Sequence, residues 1–290
     1  MAHIIGGIGI AHTPSMGMEY DRGRANGFDS RWGPWFEGLG PVRQWLERIR
    51  PTQLIVVYND HLNHFDFDAY PTLAIGISSR FEQADEGWGR RPWPDMPGDP
   101  DFAIPLAEYL VRQSEFDLTV CQSLALDHGV YSWFPCLFNL PWKIPVTPIA
   151  VNMVRHPLPT SRRLARLGTE IRAAVQASDA GERVLVIATG GMSHQISGAR
   201  FGISNQEFDQ RFLKALPSEM DALMAIPQED YMRYGGTEAA ELSLWFAMRA
   251  ALSPDATPVY DHYTCPQITG CGVLAMTEAQ FEQQSTKEQK

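Results

Sequence analysis

Continuous apolar runs recur along this chain and predict the strands of a sheet. Residues 3–10, 53–58 and 183–188 are runs of mostly aliphatic side chains, the pattern of strands that are covered on both faces. Shorter or less regular runs predict four more strands, at residues 72–77, 116–121, 146–151 and 270–276. Runs without a polar face favour a mainly parallel arrangement, because parallel sheets bury both faces.

Apolar residues at helical spacing occupy much of the sequence between these runs. The clearest stripe covers residues 162–177, where aliphatic side chains recur every three or four positions. The same spacing predicts further helices at residues 35–49, 102–113, 206–215, 218–225 and 237–251. Because strands alternate with helices, we predict an α/β fold with a central, mainly parallel or mixed sheet flanked by helices.

Two segments lack both kinds of periodicity and are predicted as long loops. Residues 13–33 contain several glycines, and residues 81–100 are rich in Gly, Pro, Asp and Trp. A loop as long as the second is usually functional or disordered, and its tryptophans favour an ordered lid or interface. We predict one catalytic domain over residues 1–276 and a polar, flexible tail over residues 277–290.

Composition and charge exclude several classes of protein. The 290 residues carry a formal net charge of −10, which argues against a nucleic-acid partner because phosphate binding needs clustered Lys and Arg. No run of about 18 apolar residues predicts a transmembrane helix, and the start of the chain does not have the pattern of an export signal. The four cysteines form no C-x-x-C pair and predict reduced thiols in a cytoplasmic protein.

Polar side chains suited to metal or proton chemistry follow three of the apolar runs. His12 follows the first run, His61 the second and His194 the third. Because open α/β sheets build their sites beyond the carboxyl ends of strands, we expect the imidazoles to meet in one crevice. Two histidines and one carboxylate form the ligand set of a non-heme Fe(II) oxygenase. Asp60 is a candidate partner that would fix the tautomer of a metal-bound histidine.

The sequence leaves open which carboxylate is the third ligand and what roles the remaining histidines have. Glu238 and Glu241 lie three residues apart on one helix face of a largely apolar stretch, and spacing alone does not choose between them. A carboxylate that faces a core needs a partner or a metal ion. His194 fits a fourth ligand, a general base or a capping residue. His128 fits a polar loop residue as well as a functional one.

Two other functions fit the same residues. A zinc hydrolase could use a His/His/Glu set to activate water. A non-catalytic subunit could use the α/β body as a binding scaffold. A serine hydrolase with Ser15 or Ser193 as its nucleophile is disfavoured, because the chain has no G-x-S-x-G motif.

Taken together, these motifs resemble the class III extradiol ring-cleavage dioxygenases, among them the β subunit of protocatechuate 4,5-dioxygenase and the gallate dioxygenases. The likeness extends from the N-terminus to about Met276. It rests on the early His-x-Pro, Tyr-Asn-Asp-His at 58–61, Ala-Asp-Glu-Gly-Trp-Gly at 84–89, Asp-His-Gly at 127–129, Gly-Gly-Met-Ser-His-Gln at 190–195 and Glu-x-x-Glu-Leu at 238–242.

The resemblance implies a role for each of five residues. His12, His61 and Glu241 would bind Fe(II), which resolves the choice of carboxylate. His194 would be the catalytic acid–base, and His128 would bond to the substrate or to O2. The implied activity is insertion of O2 into the ring of a catecholic acid of the protocatechuate, gallate or methylgallate type, in aromatic catabolism.

The resemblance also implies substrate contacts and partners. Thr13 and Thr269 would orient the substrate, and both lie in segments of the gallate type. Gallate dioxygenases of this kind carry an additional C-terminal segment like a small α subunit, and this sequence does not contain it. A separate small α subunit is therefore implied, or an enzyme that works without one. The implied assembly is a homodimer or an α2β2 complex.

Overall fold

Eight strands form one sheet in the computed structural model, which describes residues 1–281. Two further short strands pair with each other outside it. In chain order the strands are β1 (His3–Ile10), β2 (Gln53–Tyr58), β3 (Leu73–Gly76), β4 (Arg80–Phe81), β5 (Met96–Pro97), β6 (Thr119–Cys121), β7 (Val146–Val151), β8 (Arg183–Thr189), β9 (Thr257–Thr264) and β10 (Cys271–Thr277).

The main sheet is mixed, with its parallel part at the centre. Its strand order is β6-β3-β7-β2-β8-β1-β10-β9. β7, β2, β8 and β1 are parallel neighbours, whereas β10 and β9 add antiparallel strands beyond β1. On the other side β3 pairs antiparallel with β7 and parallel with β6. The predicted α/β fold with a mainly parallel or mixed sheet is therefore confirmed.

Helices cover both faces of the sheet. They are α1 (Pro14–Asn26), α2 (Gly33–Gly38), α3 (Gly40–Ile49), α4 (Pro100–Arg112), α5 (His128–Tyr131), α6 (Phe134–Leu137), α7 (Ser161–Ala177), α8 (Gln206–Ala215), α9 (Met220–Met224), α10 (Gln228–Gly235), a 3₁₀ helix (Thr237–Leu244) and α11 (Trp245–Ala251). Consecutive strand residues face opposite sides. A Cβ atom at Gly6 would meet Trp45 of α3, and one at Gly7 would meet Met248 of α11, so these helices lie on opposite faces.

Three segments differ from the sequence-based assignment, each for a local reason. The segment predicted as a loop at 13–33 contains α1, which starts with Pro14 in the first turn and has no clear apolar stripe. β9 was not predicted, because this edge strand exposes much of its length and lacks an apolar run. The helix predicted over 237–251 is a 3₁₀ helix that continues into α11.

The loop predicted at 81–100 is mostly irregular and is tied to the body of the protein. Arg91 forms an ion pair with Asp21 of α1, and the indole of Trp93 donates a hydrogen bond to the same carboxylate. Among the helices of residues 1–281, none has both the length and the apolar character needed to cross a bilayer.

The domain boundary at residue 276 stays a prediction. Thr277 is the last residue of β10, and the next residue, Glu278, is buried and pairs with Arg172. The remainder of the predicted tail, residues 282–290, lies outside the described residues.

Candidate metal centre

The carboxyl ends of β1, β2 and β8 meet at one edge of the sheet and bring two of the candidate ligands together. β8 lies between β2 and β1, and all three strands run parallel. His12 follows the end of β1 and His61 follows the end of β2. Their ring centroids are 4.9 Å apart in an edge-to-face arrangement. The crevice expected from the sequence is where these two imidazoles meet.

Glu241 reaches the same point from the 3₁₀ helix. The Nε2 atom of His12 lies 3.2 Å from one carboxylate oxygen of Glu241, and Nε2 of His61 lies 3.2 Å from the other. Two donor atoms that lie about 2.1 Å from a metal ion and at right angles to each other are about 3 Å apart. The spacing therefore fits side chains that share one ion.

A second observation supports this fit. The Nε2 atom of His12 is buried and has no hydrogen-bond partner, although it lies 3.2 Å from Glu241. Buried polar atoms in native proteins almost always have a partner, so an unpaired one calls for an explanation. A metal ion between the imidazole and the carboxylate supplies that explanation.

The hydrogen bonds of Thr189 determine which nitrogen of His12 carries a proton. The Thr189 hydroxyl donates to the carbonyl oxygen of Gly129 at 2.8 Å and also lies 2.8 Å from Nδ1 of His12. Because the hydroxyl has only one proton, Nδ1 of His12 must be the donor in the second bond. Nε2 is then left with a lone pair. Burial lowers the pKa of His12 to about 4, so the ring is neutral and suited to metal binding.

Asp127 performs the equivalent task for His61. One of its carboxylate oxygens accepts from the backbone N–H of His61 at 2.7 Å and lies 2.9 Å from Nδ1 of the ring. Nε2 therefore faces Glu241. Burial lowers the pKa of His61, but the negative charges of Asp127 and Glu241 outweigh that effect and raise the pKa well above its usual value. The site thus favours positive charge at this position.

The expected role of Asp60 is not the one observed. Its carboxylate accepts from backbone N–H groups at residues 63–65 and so supports the turn that follows His61. Asp127, which the sequence places 66 residues away, makes the ring contact instead. The signal that could have indicated Asp127 is its position directly before His128, in a second polar cluster that follows an apolar run.

Two groups orient the Glu241 carboxylate. The amide of Asn59 donates to Oε1 and the backbone N–H of Gly191 donates to Oε2, both at 2.9 Å. The oxygen of Asn59 accepts from the backbone N–H of Met153, which fixes the orientation of the amide. Asn59 directly follows β2, and Gly191 follows β8. Residues that follow β2 and β8 therefore orient the carboxylate of the cluster.

The two glutamates of the 3₁₀ helix have different surroundings. Glu241 is buried within the cluster; burial raises its pKa, but its interactions with His12 and His61 outweigh that effect and lower the pKa well below the usual value. The half-buried Glu238 instead accepts a hydrogen bond from the backbone N–H of Ile196. The geometry thus agrees with the choice that the resemblance made between them.

His128 and His194 lie on segments next to the cluster. The ring of His128 stacks on that of His61 with centroids 3.9 Å apart, and it lies edge-on to His12 at 5.5 Å. Nδ1 of His128 lies 2.5 Å from a carboxylate oxygen of Glu86. Nδ1 of His194 lies 2.8 Å from the carbonyl oxygen of Met192, to which it must donate, so Nε2 is the nitrogen that has the lone pair in the neutral ring.

Within residues 1–281, the histidines that bring ligand atoms within 4.8 Å of one another are His12, His61 and His128. His194 is not in that group. The role of His194 therefore stays a prediction.

The two candidate substrate residues flank the same edge of the sheet. Thr13 follows His12, and its hydroxyl lies 3.0 Å from that of Ser15. Thr269 is buried next to Gly270. The backbone of Gly270 exchanges hydrogen bonds with the segment that carries His194, donating to Ser193 and accepting from Met192. Contact of either threonine with a substrate stays a prediction.

Comparison with known proteins identifies the family to which the chain belongs. Residues 6–274 match the family described as the catalytic LigB subunit of aromatic ring-opening dioxygenase. A gallate dioxygenase of Pseudomonas putida is 32% identical over 197 residues, which are 67% of this chain and 57% of that protein. The chain thus spans little more than half the length of that relative.

A second relative is covered more fully. The 2,3-dihydroxyphenylpropionate/2,3-dihydroxicinnamic acid 1,2-dioxygenase of Cupriavidus necator is 27% identical over 255 residues, with 73% of this chain and 79% of that protein covered. Among solved structures, an uncharacterized protein of Escherichia coli K12 superimposes with a TM-score of 0.56 at 13% identity, over 95% of this chain and 100% of that chain. This last likeness concerns the fold alone.

Proposed function

Because the chain belongs to the family of catalytic LigB subunits of aromatic ring-opening dioxygenases, we propose that it is an Fe(II)-dependent extradiol dioxygenase that inserts O2 into the ring of a catecholic acid. The observation that carries the proposal is the contact of Glu241 with Nε2 of both His12 and His61. Two histidines and one carboxylate are the ligand set of non-heme Fe(II) oxygenases.

The side chains that would hold the ion are those of His12, His61 and Glu241. When bound there, a ferrous ion would supply a Lewis acid that favours the deprotonated form of a catechol. The protein contributes fixed donors, because Thr189 and Asp127 determine which nitrogen of each ring faces the ion.

His194 is the proposed acid–base. Its Nδ1–H group donates to the Met192 carbonyl, so in the neutral ring Nε2 is the nitrogen that would accept a proton from a ring hydroxyl and later return it. A positioned acid–base of this kind contributes roughly 10²–10⁴ in rate. The side chain is largely buried, which keeps the proton transfer away from bulk water.

His128 is proposed to bond to an oxygen atom of the substrate or of O2. Its ring is held against His61, and one of its nitrogens lies within 4.8 Å of ligand atoms of His12 and His61. Thr13 and Thr269 are proposed to orient the substrate at the edge where β1 ends and β10 begins. The relatives' names indicate gallate and dihydroxyphenylpropionate as substrates of those proteins, so a catecholic acid is the substrate class that we propose here.

We propose that the enzyme works in the cytoplasm as an oligomer. The four cysteines are free, as expected in a reducing compartment. We propose that a second copy of the chain or a small α subunit covers Phe201 and Ile196, which lie in the segment after His194 and are 64% and 61% exposed. Light scattering of the purified chain, alone and mixed with a candidate small α subunit, tests this assembly.

The proposed activity is tested with protein purified without oxygen. We expect one iron per chain after anaerobic loading, and oxygen consumption with a ring-opened product when catecholic acids are added. A zinc-loaded protein that hydrolyses esters or amides and consumes no oxygen would favour the zinc hydrolase. Protein that binds no divalent metal would favour the non-catalytic scaffold. Either outcome would contradict the proposal.

A further inference from the structure

One carboxylate of the long loop at 81–100 points inward while its neighbours are exposed. The side chain of Glu86 is 8% exposed, although Asp85, Gly87 and Trp88 lie at the surface. Its Oε1 accepts from the backbone N–H of His128 at 2.9 Å, and its Oε2 lies 2.5 Å from Nδ1 of the same residue. The loop thus delivers an acidic group to one histidine.

This contact repeats the one that Asp127 makes with His61. In both pairs a carboxylate accepts from the backbone N–H and from the Nδ1 side of the ring of one histidine. A carboxylate accepts and does not donate when it is ionised, so Nδ1 of each ring carries the proton. Nε2 is then directed away from the carboxylate. The His61 and His128 rings stack, so the two pairs lie side by side.

The loop that carries Glu86 is fastened at several points. The Arg91 guanidinium pairs with both oxygens of Asp21 at 2.7 and 2.9 Å and donates to the carbonyl oxygen of Gly17 at 2.8 Å. It also donates to the carbonyl oxygen of Tyr131, the last residue of α5. Arg91 therefore connects the loop to α1, which starts just after His12, and to the short helix that His128 begins.

We propose that Glu86 is a positioning residue that fixes the ring of His128, with its Nε2 toward the bound catecholic acid. The inference deepens the proposed function and rests on it for the identity of the ligand. Residues that orient an active group commonly change activity about 10–100-fold when they are removed, without contacting the substrate themselves.

The first test is a double-mutant cycle. Glu86→Ala is expected to weaken anaerobic binding of protocatechuate or gallate and to lower kcat about 10–100-fold, with metal content unchanged. The same substitution in a His128→Ala background is expected to have almost no further effect, because Glu86 acts through that ring. Glu86→Gln, which keeps one oxygen acceptor, is expected to restore part of the loss. Glu82→Ala is the matched control, since Glu82 is exposed and pairs with Arg90 in the same loop.

The second test does not depend on turnover. Nitrogen-15 spectra of histidine-labelled protein loaded with zinc, with the signal assigned through His128→Ala, are expected to show a proton on Nδ1 of His128. Glu86→Ala is expected to change that signal. An unprotonated Nδ1 in the original protein, or equal losses from Glu86→Ala with and without His128, would overturn the proposal. If Nδ1 of His128 is protonated but the iron-loaded protein takes up no oxygen with catecholic acids, that result would contradict the proposed function and not the role of Glu86.

Discussion

The ligand-type side chains and the proposed acid–base are built into the same edge of the sheet in different ways. His12, His61 and Glu241 are each held by a side chain that itself lies in the core: Thr189, Asp127 and Asn59. His194 lies on an irregular segment after β8, and its ring is held by a backbone carbonyl two residues earlier.

Hydrogen bonds to Asp209 also hold the His194 segment in place. Asp209 of α8 accepts from the backbone N–H and the hydroxyl of Ser193 at 2.8 and 2.6 Å. The Tyr263 hydroxyl also donates to Asp209 at 2.8 Å. The residues that orient the metal ligands are largely different from those that hold the His194 segment. We therefore expect that substitutions can abolish turnover without loss of the metal.

The largest effect is expected from removing the shared carboxylate. Glu241→Ala should abolish both stoichiometric metal binding and turnover, because Glu241 approaches both histidines. Glu238→Ala, three residues earlier on the same 3₁₀ helix, should leave both intact and is the matched control. Anaerobic metal analysis and oxygen uptake measure the difference. Equal loss in the two variants would remove the distinction between the glutamates.

A large effect confined to turnover is expected at His194. His194→Ala should keep the iron and lower kcat by about 10²–10⁴, because the variant lacks the nitrogen that accepts the hydroxyl proton. His156→Ala replaces an exposed histidine and should behave like the original protein. Undiminished kcat in His194→Ala, or loss of iron from it, would break the separation between the two regions.

An intermediate effect is expected at the partner of His61. Asp127→Asn should weaken metal binding by about 10–100-fold, because an amide no longer holds Nδ1–H with a negative charge. Asp60→Asn should change metal affinity much less, since Asp60 contacts the backbone at 63–65 and not the ring. Competition with a chromogenic chelator measures both affinities. A larger loss in Asp60→Asn would support the assignment made from the sequence.

The smallest effect concerns the pH dependence of stability. Burial raises the pKa of Asp209, so the folded protein binds this proton more tightly than the unfolded chain does. The contribution of this group to the free energy of unfolding therefore decreases as pH rises from the usual Asp pKa, about 4, through the raised value. Asp209→Asn should remove that slope, as measured by urea unfolding at several pH values. An unchanged slope would show that other groups cause it.

The central parallel strands were accessible from sequence, because buried parallel strands leave continuous apolar runs, whereas the choice of Glu241 over Glu238 came from the family resemblance. β1, β2 and β8 fall within a residue of their predicted bounds, and the polar residues after them meet as parallel topology requires. The helix α1 was missed because the glycines at positions 17 and 23 accommodate neighbouring side chains, Arg91 and Phe28, where a helix former would clash.

The groups that orient the ligands were not predictable in the same way. Asp127 is 66 residues from His61, and Glu86 is 42 residues from His128. Each pairing depends on where a loop returns to the sheet edge, and no periodic pattern encodes that return. Asp60 was a reasonable expectation from adjacency, but the chain turns directly after His61, and the backbone of the turn uses the Asp60 carboxylate.

The most direct test of the account is a crystal structure of anaerobically iron-loaded protein, with diffraction data collected on both sides of the iron absorption edge. We predict a single anomalous peak within coordination distance of Nε2 of His12, Nε2 of His61 and the carboxylate of Glu241. A peak at another place in the molecule, or one that leaves out any of these three side chains, would contradict the central claim.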